Sequence, residues 1–239
     1  MSATFDKHGN VLVGDKFGDI VRFNKTDFKS TVVAGCVSMV TDLLATPQYI
    51  IMADRDEKIR LINADHPVLI ERFLLQHTEY VSGIVLAGEQ LVSIGGDGCL
   101  MLWALEKEVP LQVFRVGDSF DPVGIAVNKD ATTIAYVLDK TSAVHLVSLE
   151  NGRLVETIQT INLPTGCRPS TIACVGKEWI IGGKLEDAPF LARINDGQVD
   201  VIRAFAELDL SKESQDWSQI VRSHLRKLKY PKDDSDADE

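Results

Sequence analysis

His77, Ser93 and Asp97 are the residues whose types suggest chemistry together, since an imidazole, a hydroxyl and a carboxylate can form a nucleophile, base and orienter set. The hydrolases that use such a set carry the serine in a Gly-x-Ser-x-Gly elbow. Here Ser93 stands in Leu91-Val-Ser-Ile94, a strand-like run, and Trp103 follows on the next one. A buried indole N–H, a hydroxyl, an imidazole and a carboxylate can satisfy one another without water. The order His77, Ser93, Asp97, Trp103 therefore predicts a structural hydrogen-bond relay, not a catalytic site. His8, His66, His145 and His224 are isolated, and Cys36, Cys99, Cys167 and Cys174 include no Cys-x-x-Cys pair. The cysteines read as buried thiols of a reducing compartment, with no metal site. Gly95-Gly96 and Gly182-Gly183 read as turn glycines and not as a phosphate cradle. No Gly-rich loop follows a strand and opens a helix, so no cofactor-binding residue is expected.

A second candidate is the run Asp54-Arg-Asp-Glu-Lys58, followed by Arg60. It lies between the apolar Tyr49–Met52 and Ile59–Ile62, so it reads as the turn of a hairpin. Most hairpin turns use Gly or Asn. This one has five consecutive charges of both signs and no Gly. One reading is a solvated tip; the other is a docking edge for a macromolecule. On the second reading Asp54, Arg55, Asp56, Lys58 and Arg60 form the partner interface. Arg60 is expected to grip a partner carboxylate with two parallel hydrogen bonds. Asp54 is expected to brace the turn by accepting backbone N–H groups.

The elements that position both sets are a repeat. Strand, turn and strand run from Val11 to Phe23, from Tyr49 to Ile62 and from Leu91 to Trp103, with weaker copies over Thr133–Val147 and Trp179–Ile194. The apolar residue opening each second strand is Ile20, Ile59, Leu100, Val144 and Leu191, at intervals of 39, 41, 44 and 47 residues. Periods of about 40–45 residues mark propeller blades. Shorter β-like runs at Val81–Leu86, Leu111–Val116 and Val123–Val127 supply the further strands that a four-stranded blade needs. The expected fold is all-β: a propeller of about five units over residues 1–210.

The end of the chain differs in kind. Trp217, Ile220, Val221, Leu225 and Leu228 recur at helical spacing, with Ser211 or Ser214 as cap. This predicts an amphipathic helix over 211–231. Arg222, Arg226 and Lys229 form a basic stripe beside its apolar face, suited either to solvent or to RNA phosphate or an acidic partner. Residues 232–239 are an acidic tail, expected to be disordered.

The 239 residues are 45% hydrophobic and 25% charged, as in an ordinary globular protein. The net charge of −10 gives no field that attracts polyanions. RNA contact would need a local patch or a partner. The first residues contain no apolar run that reads as a secretory signal, and no segment approaches the 18 apolar residues of a membrane span.

Ala53-Asp-Arg-Asp-Glu-Lys-Ile-Arg60, His77-Thr-Glu-Tyr-Val-Ser82 and Gly96-Asp-Gly98 with Trp103 together resemble the WD-repeat, non-catalytic subunit of the eukaryotic tRNA (guanine-N7-)-methyltransferase. Gly14-Asp-Lys-Phe-Gly-Asp19, Ser38-Met-Val40 and Trp217–Lys227 are similar to the same family, and the resemblance is strongest over 11–105. It implies a scaffold that binds the catalytic methyltransferase subunit as a heterodimer and meets tRNA mainly through it. S-adenosylmethionine is then expected on the partner and no cofactor on this chain. The implied location is the nucleus, with the cytoplasm as a second. Members of the family resemble rings of about seven blades, so the five units here are expected to be an N-terminally truncated ring that starts inside a middle blade, with closure of the five into a smaller ring as the alternative. The other functional reading is a general WD-repeat adaptor that recognises a peptide near the central channel.

Overall fold

The computed structural model describes residues 2–117, 121–186 and 188–202. Alternating apolar and polar residues form strands that can bury one face, and the strands form five four-stranded antiparallel sheets in chain order. Blade 1 holds β1 (Ser2–Phe5), β2 (Val11–Gly14), β3 (Asp19–Phe23) and β4 (Ser30–Gly35). Blade 2 holds β5 (Val40–Ala45), β6 (Tyr49–Asp54), β7 (Ile59–Asn63) and β8 (Ile70–Leu74). Blade 3 holds β9 (Val81–Ala87), β10 (Gln90–Gly95), β11 (Cys99–Ala104) and β12 (Gln112–Arg115). Blade 4 holds β13 (Pro122–Val127), β14 (Thr133–Leu138), β15 (Ala143–Glu150) and β16 (Arg153–Asn162). Blade 5 holds β17 (Cys167–Val175), β18 (Glu178–Leu185), β19 (Ala188–Asn195) and β20 (Gln198–Ile202). The five repeated hairpins are the middle strands of the blades, and each chain segment between them supplies an outer strand and the next inner one. This is the architecture of a β-propeller. The first unit is a complete blade, because Ser2–Phe5 forms its innermost strand.

Four apolar clusters are the seams between successive blades. Leu12 and Ile20 of blade 1 pack on Val40, Ile50 and Ile62 of blade 2. Ile51, Ile59 and Leu61 face Leu91, Met101 and Trp103 of blade 3. Val92, Leu100 and Leu102 meet Ile134, Tyr136 and Val147 of blade 4. Ala135, Val137 and Val144 meet Trp179, Ile181 and Ala192 of blade 5. Among the described residues no such cluster joins blade 5 to blade 1.

The inner strands carry a polar clasp as well. A register shift in β5 between Val40 and Asp42 is a bulge of the kind that re-aims a side chain. Asp42 Oδ1 accepts from Ser2 Oγ of blade 1 at 2.7 Å and from Leu43 N at 2.8 Å. Its Oδ2 accepts from Ile84 N of blade 3 at 2.9 Å. One carboxylate thus ties three blades. Burial raises its pKa, opposed by those hydrogen bonds.

The turns between second and third strands lie on one rim, together with the connections that lead from one blade to the next. Backbone bonds tie the two sets: Cys36 N to Gly18 O at 2.9 Å, Val40 N to Asp15 O at 3.1 Å and Gly96 N to Tyr80 O at 2.9 Å. Both candidate sets occupy this rim. The expected helix over 211–231, with Arg222, Arg226 and Lys229, and the acidic tail over 232–239 lie outside the described residues.

Candidate functional site

In blade 3 the pairing of Ser93 with Met101 and of Leu91 with Trp103 sets the hydroxyl and the indole on one side of the sheet. His77 arrives from the connection that follows blade 2. Its Nε2 lies 2.7 Å from Ser93 Oγ, and its Nδ1 lies 2.9 Å from Asp97 Oδ2. Trp103 Nε1 donates to Ser93 Oγ at 2.9 Å. Asp97 also accepts from Thr78 N and Cys99 N, both at 3.1 Å. Burial alone would raise the Asp97 carboxyl, but the hydrogen bond and charge of His77 and the two amides outweigh it and hold the pKa below the ordinary value. Ser93 is fully buried and already accepts the indole proton. The set is a closed relay that fastens the connection to the hairpin, with no exposed nucleophile.

In blade 2 the turn Asp54–Lys58 is braced from several sides. Asp54 N donates to Lys58 O at 3.0 Å, and Lys58 N donates to Asp54 Oδ1 at 3.1 Å. Asp54 does brace the turn by accepting a backbone N–H. Glu57 takes a φ of 72°, a left-handed conformation that glycine adopts most easily. Arg55 N donates to Met39 O at 3.0 Å, which ties the turn to the connection from blade 1.

The geometry departs from the expectation for Arg60. Its guanidinium does not reach out to a partner; it pairs with Asp54 Oδ2 inside the blade. Arg60 is only 7% exposed and lies over the Phe73 ring, 5.5 Å from its centroid. The reason is register: Arg60 stands opposite Met52, two residues before Asp54 on the neighbouring strand, so the two charges meet in the blade. A buried carboxylate needs a cation more than a surface site does. Arg55, Asp56, Glu57 and Lys58 remain half-exposed on the rim. Lys58 Nζ donates to Asp56 O at 2.8 Å, and Arg55 Nε lies 3.9 Å from Asp56 Oδ1.

Sequence reasoning missed two neighbours of this turn. Phe17 is 70% exposed and Val37 98%, one in the blade 1 turn and the other in the connection to blade 2. Lys16 Nζ stands 5.0 Å from the Phe17 ring centroid.

The relay-locked blade and the braced, charged turn share one rim, and comparison with known proteins gives the chain a family. Residues 22–167 match the family described as the tRNA methyltransferase TRM82 WD40 domain. The chain belongs to that family. The match spans blades 2, 3 and 4 and continues past residue 105. Among relatives, the tRNA (guanine-N(7)-)-methyltransferase non-catalytic subunit of Caenorhabditis elegans is 33% identical over 165 residues, which is 66% of this chain and 42% of that protein. The human non-catalytic subunit WDR4 is 43% identical over 161 residues, 60% of this chain and 39% of its own. The Candida glabrata subunit TRM82 is 30% identical over 135 residues, 50% of this chain and 32% of its own. The chain therefore spans about two fifths or less of the length of these relatives. Within this TRM82 WD40 chain both the relay and the charged turn fall inside the matched residues.

Proposed function

We propose that this chain acts as the non-catalytic propeller subunit of a tRNA (guanine-N7)-methyltransferase, holding a catalytic subunit as a heterodimer. The observation that carries this reading is its kinship with proteins named non-catalytic subunits of that enzyme. S-adenosylmethionine and the tRNA nucleotide then belong to the partner, and tRNA reaches this chain mainly through it. The docking site is the rim turn of blade 2. Asp54 and Arg60 serve as its internal brace, and Arg55, Asp56 and Lys58 present charge of both signs to the partner. A braced turn suits this role because a preorganised contact loses less conformational freedom on binding.

Co-expression with the catalytic subunit of the same organism tests the proposal. The two should co-purify in equal amounts, and the complex should form 7-methylguanosine in tRNA. Arg55→Glu together with Lys58→Glu should lower affinity about ten-fold or more, as reversal of rim charges does, with the melting temperature retained. Equal recovery of the partner by the variant would remove the turn from the interface. Loss of co-purification by the unmodified chain would remove the function.

A further inference from the structure

The outer strands of blades 2, 3 and 4 correspond position by position. The residue that opens each third strand pairs with Leu74 in blade 2, Phe114 in blade 3 and Ile161 in blade 4. Those three turn into the seam with the following blade. Their strand neighbours turn to the other side of the sheet. In blade 4 these neighbours are Thr160 and Asn162, both polar and exposed. In blade 3 they are Val113 and Arg115, one of each kind. In blade 2 they are Phe73 and Leu75, 38% and 61% exposed. Ile70 stands opposite Ile62 on that same side, and Val68 and Leu69 are exposed in the turn that leads into β8. Single exposed apolar residues are ordinary, whereas a run of them along one strand marks an interaction surface.

This wall is continuous with the charged turn. Leu75 lies at the rim end of β8, where the connection to His77 begins. The Phe73 ring lies against the guanidinium of Arg60, which pairs with Asp54 at the base of the turn. A stable interface covers about 800 Å² on each partner, or about 20–30 residues. The turn Asp54–Lys58 is too small to supply that by itself. Charged residues at the edge of a contact mainly set the approach and the choice of partner. Aromatic and aliphatic anchors that become fully covered supply most of the affinity.

We propose that the outer wall of blade 2, with Phe73 and Leu75 as its anchors, is the apolar part of the docking site. Its occupant is the catalytic methyltransferase subunit, through a segment that sets apolar side chains on the wall beside charged ones on the turn. The inference rests on the function proposed above and divides the work of that site: the turn steers the partner in, and the wall retains it.

Binding kinetics of the catalytic subunit on the immobilised full chain, at about 50 mM and about 500 mM salt, separate the two parts. Leu75→Glu and Ile70→Glu should each speed dissociation about ten-fold or more at both salt concentrations, with the melting temperature retained. Leu75→Ser, which adds no charge, should act in the same direction. Arg55→Glu with Lys58→Glu should act mainly on association, and less at the higher salt. Val175→Glu, exposed on blade 5, should alter neither rate. If the unmodified chain binds and the Leu75 and Ile70 variants dissociate as slowly as it does, the wall is outside the interface and this proposal alone fails. An effect of Leu75→Glu that vanishes at high salt, or a loss of binding through Val175→Glu, would overturn it equally. No binding by the unmodified chain would overturn it together with the function on which it rests.

Discussion

Register pairs Met52 with Arg60 in blade 2 and Ser93 with Met101 in blade 3, so the two hairpins correspond position by position. Asp54 stands where Gly95 does, Ile62 where Trp103 does, and Cys36 enters at the place of His77. In blade 3 a Cβ on Gly95 would come within 2.6 Å of His77 Nδ1 and 2.9 Å of Asp97 Oδ1. The imidazole occupies the space that a side chain would need. In blade 2 a thiol replaces the imidazole, donates to Ser38 O at 3.0 Å, and is held neutral by burial, which raises its pKa. That smaller group admits the Asp54 carboxylate, and the carboxylate in turn requires Arg60. The lesson is that polar core positions are chosen as sets: histidine with glycine and a hydroxyl, or cysteine with aspartate and a guanidinium.

The sharpest way to break this comparison is to remove one member of the blade 2 set. Arg60→Met leaves the Asp54 carboxylate buried and alone, and should cost about 3–5 kcal/mol in urea denaturation. Asp54→Gly combined with Arg60→Met gives blade 2 the residues that blade 3 carries at both positions. The double variant should recover about 2 kcal/mol or more of that loss. Equal stability of single and double variants would show that the two charges are not coupled.

A smaller effect separates the blades by pH. Asp97 has a depressed pKa in the fold. Its contribution is therefore complete above the unfolded carboxylate value of about 4 and is lost as pH falls through the lower folded value. Asp97→Asn should flatten that acid limb of the stability profile, measured by thermal melts at stepped pH. An unchanged acid limb would refute the assignment. The smallest effect concerns the turn itself. Gly18, Glu57 and Gly98 occupy equivalent turn positions with φ of 98°, 72° and 74°. Glu57→Gly should relieve strain and raise stability by about 1 kcal/mol, read as a higher melting temperature. A lower one would mean that the Glu57 side chain contributes more than its backbone costs.

The hairpins were legible because each carries two apolar runs about a polar turn, and that pattern survives in every copy. The relay was legible because its four residue types have few other reasons to recur in that order. Arg60 was not, because a charged run reads as solvated whichever way its side chains point. The clue lay in the alignment of blades, Asp54 with Gly95 and Cys36 with His77, and it acquires meaning only once strand register is known. The Asp42 clasp was hidden for a related reason: the bulge that aims it shifts the alternation by one, and its donors in blades 1 and 3 lie about 40 residues away on either side. Phe17 and Val37 do not stand out in the sequence, since single apolar residues in loops are common.

The Asp42 clasp also sets how the molecule comes apart. An apolar seam lets one blade slide or peel from its neighbour by degrees. A carboxylate that holds donors in the blades on both sides permits no such gradual opening, because displacing any one of the three strands leaves a buried charge short of a donor. Blades 1, 2 and 3 are therefore a single cooperative unit. Blade 4 is fastened to blade 3 by neutral bonds, Gln112 Nε2 to Leu154 O and Leu154 N to Gln112 Oε1, both at 2.8 Å; these can break without stranding a charge, so hydrogen exchange should find blades 4 and 5 opening before blades 1 to 3.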